Sequence, residues 1–298
     1  MGDVPQDLRK GLRMKAPLCH LTFHFTPEQD VVVPPFTSKV SKTILIQLLG
    51  DGSLISGIRE PGGLLRKPLV VSPVMAGGRP LFKLQGQGGF MVLRAGHRYS
   101  FAVSAIGSLA SEKFLNCLLD GLPRDGLKLF NARVSILGVD VVIRDLLELC
   151  LPEADAYRMA FRTPTVLQYP RPWRWWFKDE NRYCLFPHPH LIIWSLARHW
   201  NSLVPPDMKV PDVHRLACYA SYALVETDYD VRPITVVYER DGTGPRAFVG
   251  WVLFEHRVGN AKLDRRLRVL LDYANYVGVG KSRSIGFGMV EVRPIRGG

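Results

Sequence analysis

The order of its strand and helix patterns predicts that this chain is an α+β protein with two tandem ferredoxin-like (RRM-like) βαββαβ domains and antiparallel sheets. Its 298 residues suffice for two domains of about 150 residues, each with its own core. Hydrophobic residues make up 47% and charged residues 22%, as is typical of globular chains. We therefore expect an N-terminal ferredoxin-like domain over residues 15–150 and a C-terminal one, with a glycine-rich loop, over residues 156–298.

The first half contains the patterns of one complete βαββαβ unit. Residues 17–26 alternate in polarity and predict the first strand. Apolar residues recur at every fourth position over residues 36–49, which predicts an amphipathic helix that ends at Gly50. The remaining expected elements are short strands at 69–72, 81–83, 90–93 and 98–106, a helix at 111–119 and a final strand at 127–142.

The second half repeats this order with one additional helix. Residues 158–168 predict its first strand, and residues 190–203 and 213–224 predict two helices, the second being the addition. The two halves share no evident sequence repeat, so the duplication is inferred from element order alone. The later elements are a hairpin of strands 233–238 and 247–256, a helix at 262–277 with Arg265, Arg266 and Arg268 outward, and a last strand at 286–292.

The net charge of +12 and the pI near 9.7 favour a polyanionic partner, which basic side chains bind through its phosphates. Charge of this size is also compatible with solubility alone. A mixed segment of cations and aromatics suits RNA better than an acidic membrane surface, although its tryptophans are equally compatible with a domain core. The segment contains Arg171, Trp173, Arg174, Trp175 and Trp176.

Membrane and secreted classes are not expected. No apolar run reaches the ~18 residues of a membrane span, and no apolar segment follows the basic residues near the N-terminus as in a signal peptide. We therefore expect a cytoplasmic protein with no membrane partner. Five scattered cysteines without a CxxC pair predict core thiols instead of a disulfide framework or a zinc site.

The most informative segment is the glycine-rich stretch 278–288, GVGKSRSIGFG, between a predicted helix and a predicted strand. Glycines allow close backbone approach, so we expect amide N–H groups to face a phosphate, with Lys281 and Arg283 beside them. A Walker A motif is excluded because Asn275 stands where it requires Gly and because a P-loop runs from strand to helix. A glycine-rich turn without a ligand is the structural alternative.

This loop, ahead of a C-terminal strand, resembles the signature of the CRISPR-associated RAMP superfamily, and in particular its repeat-RNA processing endoribonucleases. The resemblance extends to residues 35–49, 67–73, 250–254 and 263–276. It implies metal-independent cleavage of CRISPR precursor RNA within repeats, with no cofactor and with CRISPR repeat RNA as the partner. A homodimer and delivery of the product to a CRISPR effector complex are both compatible with it.

The resemblance also implies candidate site residues. Many members use a histidine on or just after the first helix, but no histidine lies between His24 and His97. Residues 38–42, with a lysine ahead of Pro68, instead resemble a crenarchaeal branch with a lysine-rich active site. The catalytic candidates are then Lys39, Lys42 and Lys67, and the RNA-binding candidates are Gly278, Gly280, Lys281, Ser282, Arg283, Ser284, Gly286, Gly288 and Arg246.

Lysines suit this chemistry. Lys39 and Lys42 are three positions apart, so both project from one face of the predicted helix. Metal-independent RNA cleavage deprotonates the 2′-OH, stabilises the phosphorane's charge and protonates the 5′-oxygen, giving a 2′,3′-cyclic phosphate and a 5′-OH. Clustered ammonium groups stabilise that charge, and their repulsion lowers the pKa so that one exchanges protons. A solvated helix face is the alternative for these lysines.

Other residues support competing hypotheses. His24 is the remaining candidate for an imidazole base, and His188 and His190, with Cys184 nearby, for a metal site. A non-catalytic RNA-binding subunit of a CRISPR effector complex would share the fold and the loop but leave RNA intact. The carboxylates that a metal-dependent nuclease would need are expected in a loop: Glu226, Asp228 and Asp230.

Overall fold

The computed structural model describes residues 14–50, 58–59, 65–87, 89–120, 126–170, 181–237 and 244–296. They form two compact units of helices and antiparallel sheets, which confirms the predicted α+β class with two ferredoxin-like units. In the described part of the chain, no helix is long and apolar enough to cross a membrane. The first unit extends to Glu148 and also includes residues 236–244 and 284–286, while the second contains residues 149–235, 245–283 and 287–298.

The first unit has strand order β10–β11–β1–β9–β6–β7, with β5 also paired to β9. The succession β11–β1–β9–β5 is that of a ferredoxin-like sheet, and a one-turn 3₁₀ helix, Leu146–Glu148, follows it. The elements, numbered in chain order, are β1 (Pro17–Pro27), β2 (Val31–Val33), α1 (Ser38–Leu49), β3 (Ile58–Arg59), β4 (Leu65–Arg66), β5 (Leu69–Val71), β6 (Met75–Ala76), β7 (Arg79–Pro80), β8 (Met91–Leu93), β9 (Tyr99–Ile106), α2 (Ser108–Asp120), β10 (Leu127–Leu129) and β11 (Ala132–Asp145).

The core of the first unit lies between this sheet and its two helices. Alternate residues of β1 are buried, and the Phe23 ring stacks on Phe101 with centroids 5.1 Å apart. Helix α1 buries the apolar face that its periodicity predicts, and Gly50 ends it with φ of 65°. The helix side chains in this core include Val40, Ile44, Leu48, Phe114 and Leu115.

Two predictions for the first unit were wrong. The single strand expected at 127–142 is a hairpin, because Leu129 pairs with Ala132 across a two-residue turn. The expected strand at 81–83 does not form; Phe82 makes only an isolated bridge with Phe36. Neither turn residue of the hairpin is a glycine, which removed the usual sequence signal for a turn.

The second unit has a four-stranded sheet of order β15–β16–β12–β17, again ferredoxin-like, and the predicted additional helix is present as α4. It also contains the one-turn 3₁₀ helix Pro206–Met208, and a further one-turn 3₁₀ helix, Arg283–Ile285, begins at its residue 283. Its other elements are β12 (Ala156–Thr165), β13 (Leu167–Gln168), β14 (Tyr183–Cys184), α3 (Pro189–Leu203), α4 (Val213–Ala223), β15 (Leu224–Thr235), β16 (Arg246–His256), α5 (Ala261–Val277) and β17 (Val290–Ile295).

Several predictions for the second unit need correction. The acidic residues Glu226, Asp228 and Asp230 lie in edge strand β15 and not in a loop, with a bulge between the first two. The last strand begins at Val290, four residues later than expected. Segment 171–176 lies outside the described residues. Of the five thiols, all free, Cys19 alone is fully buried; Cys117, Cys150, Cys184 and Cys218 are half-buried.

Arg268 was predicted to face outward but takes part in a buried ionic network. The Asp264 carboxylate lies 2.5 Å from His256 Nε2 and accepts from Arg268 Nε at 2.9 Å. His256 Nδ1 lies 3.1 Å from the Ala154 carbonyl, and Arg268 also donates to the Leu151 carbonyl at 3.0 Å. The network therefore ties α5 to β16 and to the segment that precedes β12.

Asp264→Asn should destabilise the protein by about 3–5 kcal/mol, because Arg268 would lose its buried charged partner and keep only the exposed carboxylate of Glu153. The free energy of unfolding in denaturant measures this change. Glu153→Gln is the matched control, since Glu153 also pairs with Arg268 but its side chain is 76% exposed. We expect less than about 1 kcal/mol for the control. Equal losses in the two variants would contradict the assignment of the network's stability to Asp264.

Candidate functional site

The catalytic candidates lie on or beside helix α1 of the first unit. The helix follows Thr37, a fully buried residue whose hydroxyl donates to the Leu81 carbonyl at 2.6 Å. The same oxygen accepts from the Val74 amide at 2.9 Å. Thr37 thus fixes the helix start to the chain that follows β5. Sequence reasoning missed this positioning residue because it predicted that the helix begins at residue 36, which placed Thr37 inside the helix and not directly before it.

The structure brings Lys42 and Lys67 together. Lys42 is half-buried, and its burial, followed by the charge of Lys67, lowers the pKa of its ammonium group below the ordinary value. Lys67 is exposed directly before β5. Lys39 is exposed in the first turn of α1, three positions before Lys42. The lowered pKa agrees with the hypothesis of mutual repulsion, but burial is the larger cause.

The competing imidazole and metal candidates lie elsewhere. His24 Nε2 lies 2.7 Å from an Asp140 carboxylate oxygen on the β1–β11 pair. The rings of His188 and His190 are 6.4 Å apart, and the Cys184 thiol donates to a backbone carbonyl. Within the described ranges, no three His, Cys, Asp or Glu side chains are grouped so as to hold a metal ion.

The glycine-rich loop of the second unit does not have the predicted cradle of free amides. Gly280 donates to the Ser195 hydroxyl at 3.1 Å, and Lys281 to the Val166 carbonyl at 2.9 Å. The amides of residues 278, 279, 287 and 288 also donate to carbonyl oxygens of the chain. The expectation that amides 278–288 face a phosphate is therefore wrong for these six, because the loop folds onto neighbouring carbonyls.

The glycines serve close backbone contact instead. Within the second unit, a Cβ on Gly288 would lie 1.9 Å from the Val279 oxygen and one on Gly280 2.3 Å from the Val166 oxygen. A Cβ on Gly278 would approach the Gly288 oxygen to 2.4 Å. All three glycines have φ between 68° and 78°. Their role in this unit is to let the loop pack closely on itself and on the chain that follows β12.

The loop presents side chains to a cleft of about 630 Å³ in the second unit. Lys281 lies over the Tyr183 ring at 5.5 Å, and Ser282 is exposed with φ of 62°. Of these three residues only Lys281 lines the cleft, together with Tyr169 and with Trp194 and Arg198 of α3. Cations beside aromatic rings are the composition that binds single-stranded nucleic acid.

Arg283 is the deepest cation of this cleft. Part of its surface is exposed, yet desolvation of its guanidinium lowers the pKa to about 10. The group donates only long hydrogen bonds, to the Ser195 carbonyl at 3.3 Å and the Gly278 carbonyl at 3.4 Å. Among the residues that the structure describes, no carboxylate forms an ion pair with it. A guanidinium that is desolvated and forms no ion pair with these residues favours the binding of an anion in the cleft.

Arg246, Ser284 and Gly286 are not among the residues that line that cleft. Arg246 is exposed at the first position of β16. Residues 284–286 belong to the first unit, and Ser284 is half-buried. Within that unit, a Cβ on Gly286 would lie 2.6 Å from the ring of Pro73, shortly after β5. Sequence reasoning did not identify Ser195 or Trp194, because both lie in an apolar helix pattern that reads as core.

Comparisons with known proteins agree with this architecture. The family described as the Cas6 N-terminal domain matches residues 19–143, and the family described as CRISPR-associated endoribonuclease Cas6 matches residues 159–290. The CRISPR-associated endoribonuclease Cas6 1 of Saccharolobus solfataricus is 25% identical over 287 residues, which cover 92% of this chain and 96% of that protein.

Solved structures share the fold. A Cas6 product complex aligns with a TM-score of 0.67 at 18% identity, over 94% of this chain and 100% of that one. Thermus thermophilus Cas6 aligns with a TM-score of 0.63 at 16% identity, over 93% of this chain and 99% of that one. At these identities the likeness concerns the fold alone.

Gly288→Ala should destabilise the protein by roughly 3 kcal/mol or more, because the methyl group would overlap the Val279 carbonyl at a residue with positive φ. Thermal or denaturant unfolding measures the loss. Gly259→Ala is the control in the same unit, since its Cβ would meet nothing closer than Tyr219 at 3.6 Å. If Gly288→Ala were as stable as the control and lost only RNA affinity, the packing role would be wrong.

Proposed function

The chain belongs to the Cas6 family of CRISPR-associated endoribonucleases, and on that premise we propose that it cleaves CRISPR precursor RNA within the repeats without a metal ion. The observation that supports catalysis is the half-buried ammonium group of Lys42 beside Lys67, with its lowered pKa. An ordinary surface lysine stays protonated at neutral pH, whereas a lysine with a lowered pKa exchanges its proton more readily.

In the proposed reaction, the neutral amine of Lys42 takes the proton of the 2′-OH. The O2′–P bond forms as the P–O5′ bond breaks, and the same proton passes from Lys42 to the 5′-oxygen. Lys39 and Lys67 face the extra negative charge of the phosphorane and stabilise it as fixed cations. No proton, electron or water is consumed. The products are a 2′,3′-cyclic phosphate and a 5′-OH end.

The cationic character of this helix face supports the metal-free form of the reaction. Lys42 and Lys67 already repel each other, so a divalent cation at the same phosphate would meet further repulsion. We assign the neutralisation of phosphorane charge to ammonium groups.

The glycine-rich loop is the proposed RNA-holding element of the second unit. Because six of its eleven amides donate to acceptors of the protein itself, we assign the RNA contacts to the side chains of Lys281, Ser282 and Arg283. An RNA phosphate would supply the anion that the Arg283 guanidinium lacks in the described residues. The glycines then contribute through the loop conformation, and Arg246 adds a further exposed cation.

The purified protein should cut its own repeat RNA in the presence of a chelator and leave 2′,3′-cyclic phosphate ends. Lys42→Ala should reduce the single-turnover rate about 10²–10⁴-fold while RNA binding persists. Lys262→Ala, which removes an exposed lysine at the start of α5, is the control for a simple loss of charge. RNA that is bound but left intact under every condition would instead support a non-catalytic RNA-binding subunit.

The pH dependence of cleavage should change in Lys67→Gln. Burial lowers the pKa of Lys42 most, and the charge of Lys67 lowers it further. Removing that charge stabilises the ammonium form, so the pKa of Lys42 rises and the limb of the pH–rate profile that it controls moves to higher pH. Single-turnover rates across pH measure the shift.

Lys39→Gln is the control for this pH dependence, because Lys67, and not Lys39, is the charge in the described part of the chain that lowers the pKa of Lys42. We expect Lys39→Gln to lower the rate without moving the limb. A profile in Lys67→Gln that coincides with the wild-type profile at a lower rate would show that Lys42 is not the group that titrates.

A further inference from the structure

The turn of the β10–β11 hairpin contains a strained aromatic residue. Leu129 pairs with Ala132, so Phe130 and Asn131 are the two central residues of the turn. Phe130 has a φ of 54°, in the left-handed region. Two-residue hairpin turns have positive φ at their first central position, which Gly, Asn or Asp usually occupies because a bulky side chain is disfavoured there. Phe130 therefore weakens the turn that contains it.

Burial does not offset this strain. Phe130 is 44% exposed, and it lines an open cleft of about 570 Å³ in the first unit. Lys128 and Arg133, both exposed, line the same cleft on the two strands of the hairpin. Strained residues that remain exposed are found preferentially at binding sites. Lys128 and Arg133 are cross-strand partners, so the turn presents one aromatic ring next to a pair of cations.

The cleft beside this ring has defined walls. The Gln29 side chain donates to the Asn131 carbonyl at 2.6 Å, and the Glu28 amide donates to the Arg133 carbonyl at 2.9 Å. Glu28 supplies the single carboxylate of the lining, and that carboxylate accepts from the Ser135 hydroxyl at 3.3 Å. Two cations against one hydrogen-bonded carboxylate leave the cleft with a positive balance.

The hairpin is also fixed to the helix that contains the lysines. Gln47 of α1 donates from Nε2 to the Lys128 carbonyl at 2.6 Å, and its Oε1 accepts from the Lys128 amide at 2.8 Å. Its amide group thus takes the place of a neighbouring strand beside β10. Gln47 is five residues after Lys42, roughly 7.5 Å along the helix axis. One rigid element therefore supports both the hairpin and Lys42.

We propose that this turn is a base-stacking site for single-stranded RNA, in which the Phe130 ring stacks on an unpaired nucleobase and Lys128 and Arg133 contact the adjoining phosphates. Aromatic rings flanked by cations bind single-stranded nucleic acid in this way, with little dependence on sequence. The inference rests on the proposed function for the identity of the RNA, and it adds a contact outside both the lysine site and the glycine-rich loop.

RNA fits this site better than a protein partner. A protein-docking surface offers a contiguous apolar patch. The lining here has one exposed ring, two cations, three other polar side chains and two small residues, Gly126 and Ala132. A nucleotide matches that composition, since it brings one π face and one negative charge per step. A protein partner, including a second copy of this chain, is retained as an outcome of the test.

Phe130→Gly is the decisive substitution, because it removes the ring and the strain at once. The melting temperature should stay the same or rise, while the Kd for single-stranded repeat RNA should rise about 5- to 150-fold. Phe130→Trp should retain affinity. Phe130→Leu keeps the strain and the apolar bulk but lacks a π face, so it should bind as weakly as the glycine variant.

Phe90→Gly is the matched control, because Phe90 is a described phenylalanine of the same unit that is 83% exposed. Its RNA affinity should equal that of the wild type. Wild-type affinity in Phe130→Gly and Phe130→Leu, an equal loss in Phe90→Gly, or a change confined to self-association would overturn the inference. A wild-type protein that binds no RNA would overturn both proposals. A wild-type protein that binds RNA without cutting it would overturn only the proposed cleavage.

Discussion

The buried apolar face of helix α1 is the constraint on which the candidate site of the first unit depends. Val40 and Ile44 are completely buried in the core, so the helix cannot rotate and every other side chain has a fixed direction. Lys39 is thereby left in solvent, and Lys42 is held half-buried beside Lys67. On a flexible loop each ammonium group would move to full hydration. On this helix the ammonium group of Lys42 stays half-buried, and its pKa is lowered as a consequence.

The second unit uses its backbone differently. Its glycine-rich loop folds so closely onto carbonyls such as those of Val166 and Val279 that no side chain fits at Gly280 or Gly288. The sequence pattern is the same for a phosphate cradle and for close packing, because both require residues without a Cβ. Only the partners of the amides distinguish them, and here six amides donate to acceptors of the chain, five of which are carbonyls. The loop's cationic side chains, above all Arg283, are therefore the groups that we assign to a ligand.

Periodic apolar spacing predicted the helices and central strands because burial imposes that spacing. This spacing did not reveal the hairpin turn, because neither Phe130 nor Asn131 is a glycine. It also led to the prediction of a loop where edge strand β15 forms, because residues 226–230 include three carboxylates. It placed Arg268 outside because periodicity cannot reveal the buried Asp264 that pairs with it. The lysine candidates came from a family resemblance and not from chemistry, because an exposed lysine and a catalytic one look alike in a sequence.

The environment of Lys42 in the fold and a bound RNA phosphate shift the pKa of its ammonium group in opposite directions. Burial and the charge of Lys67 favour the neutral amine, whereas a bound phosphate favours the ammonium form. A lysine that lacked such burial and a neighbouring positive charge would be kept in the ammonium form by the bound phosphate. It would then be unable to accept a proton. A cationic protein that binds a polyanion can therefore retain a lysine base only where the fold has already biased it towards neutrality. Half-burial on a rigid helix, beside a second lysine, provides that bias.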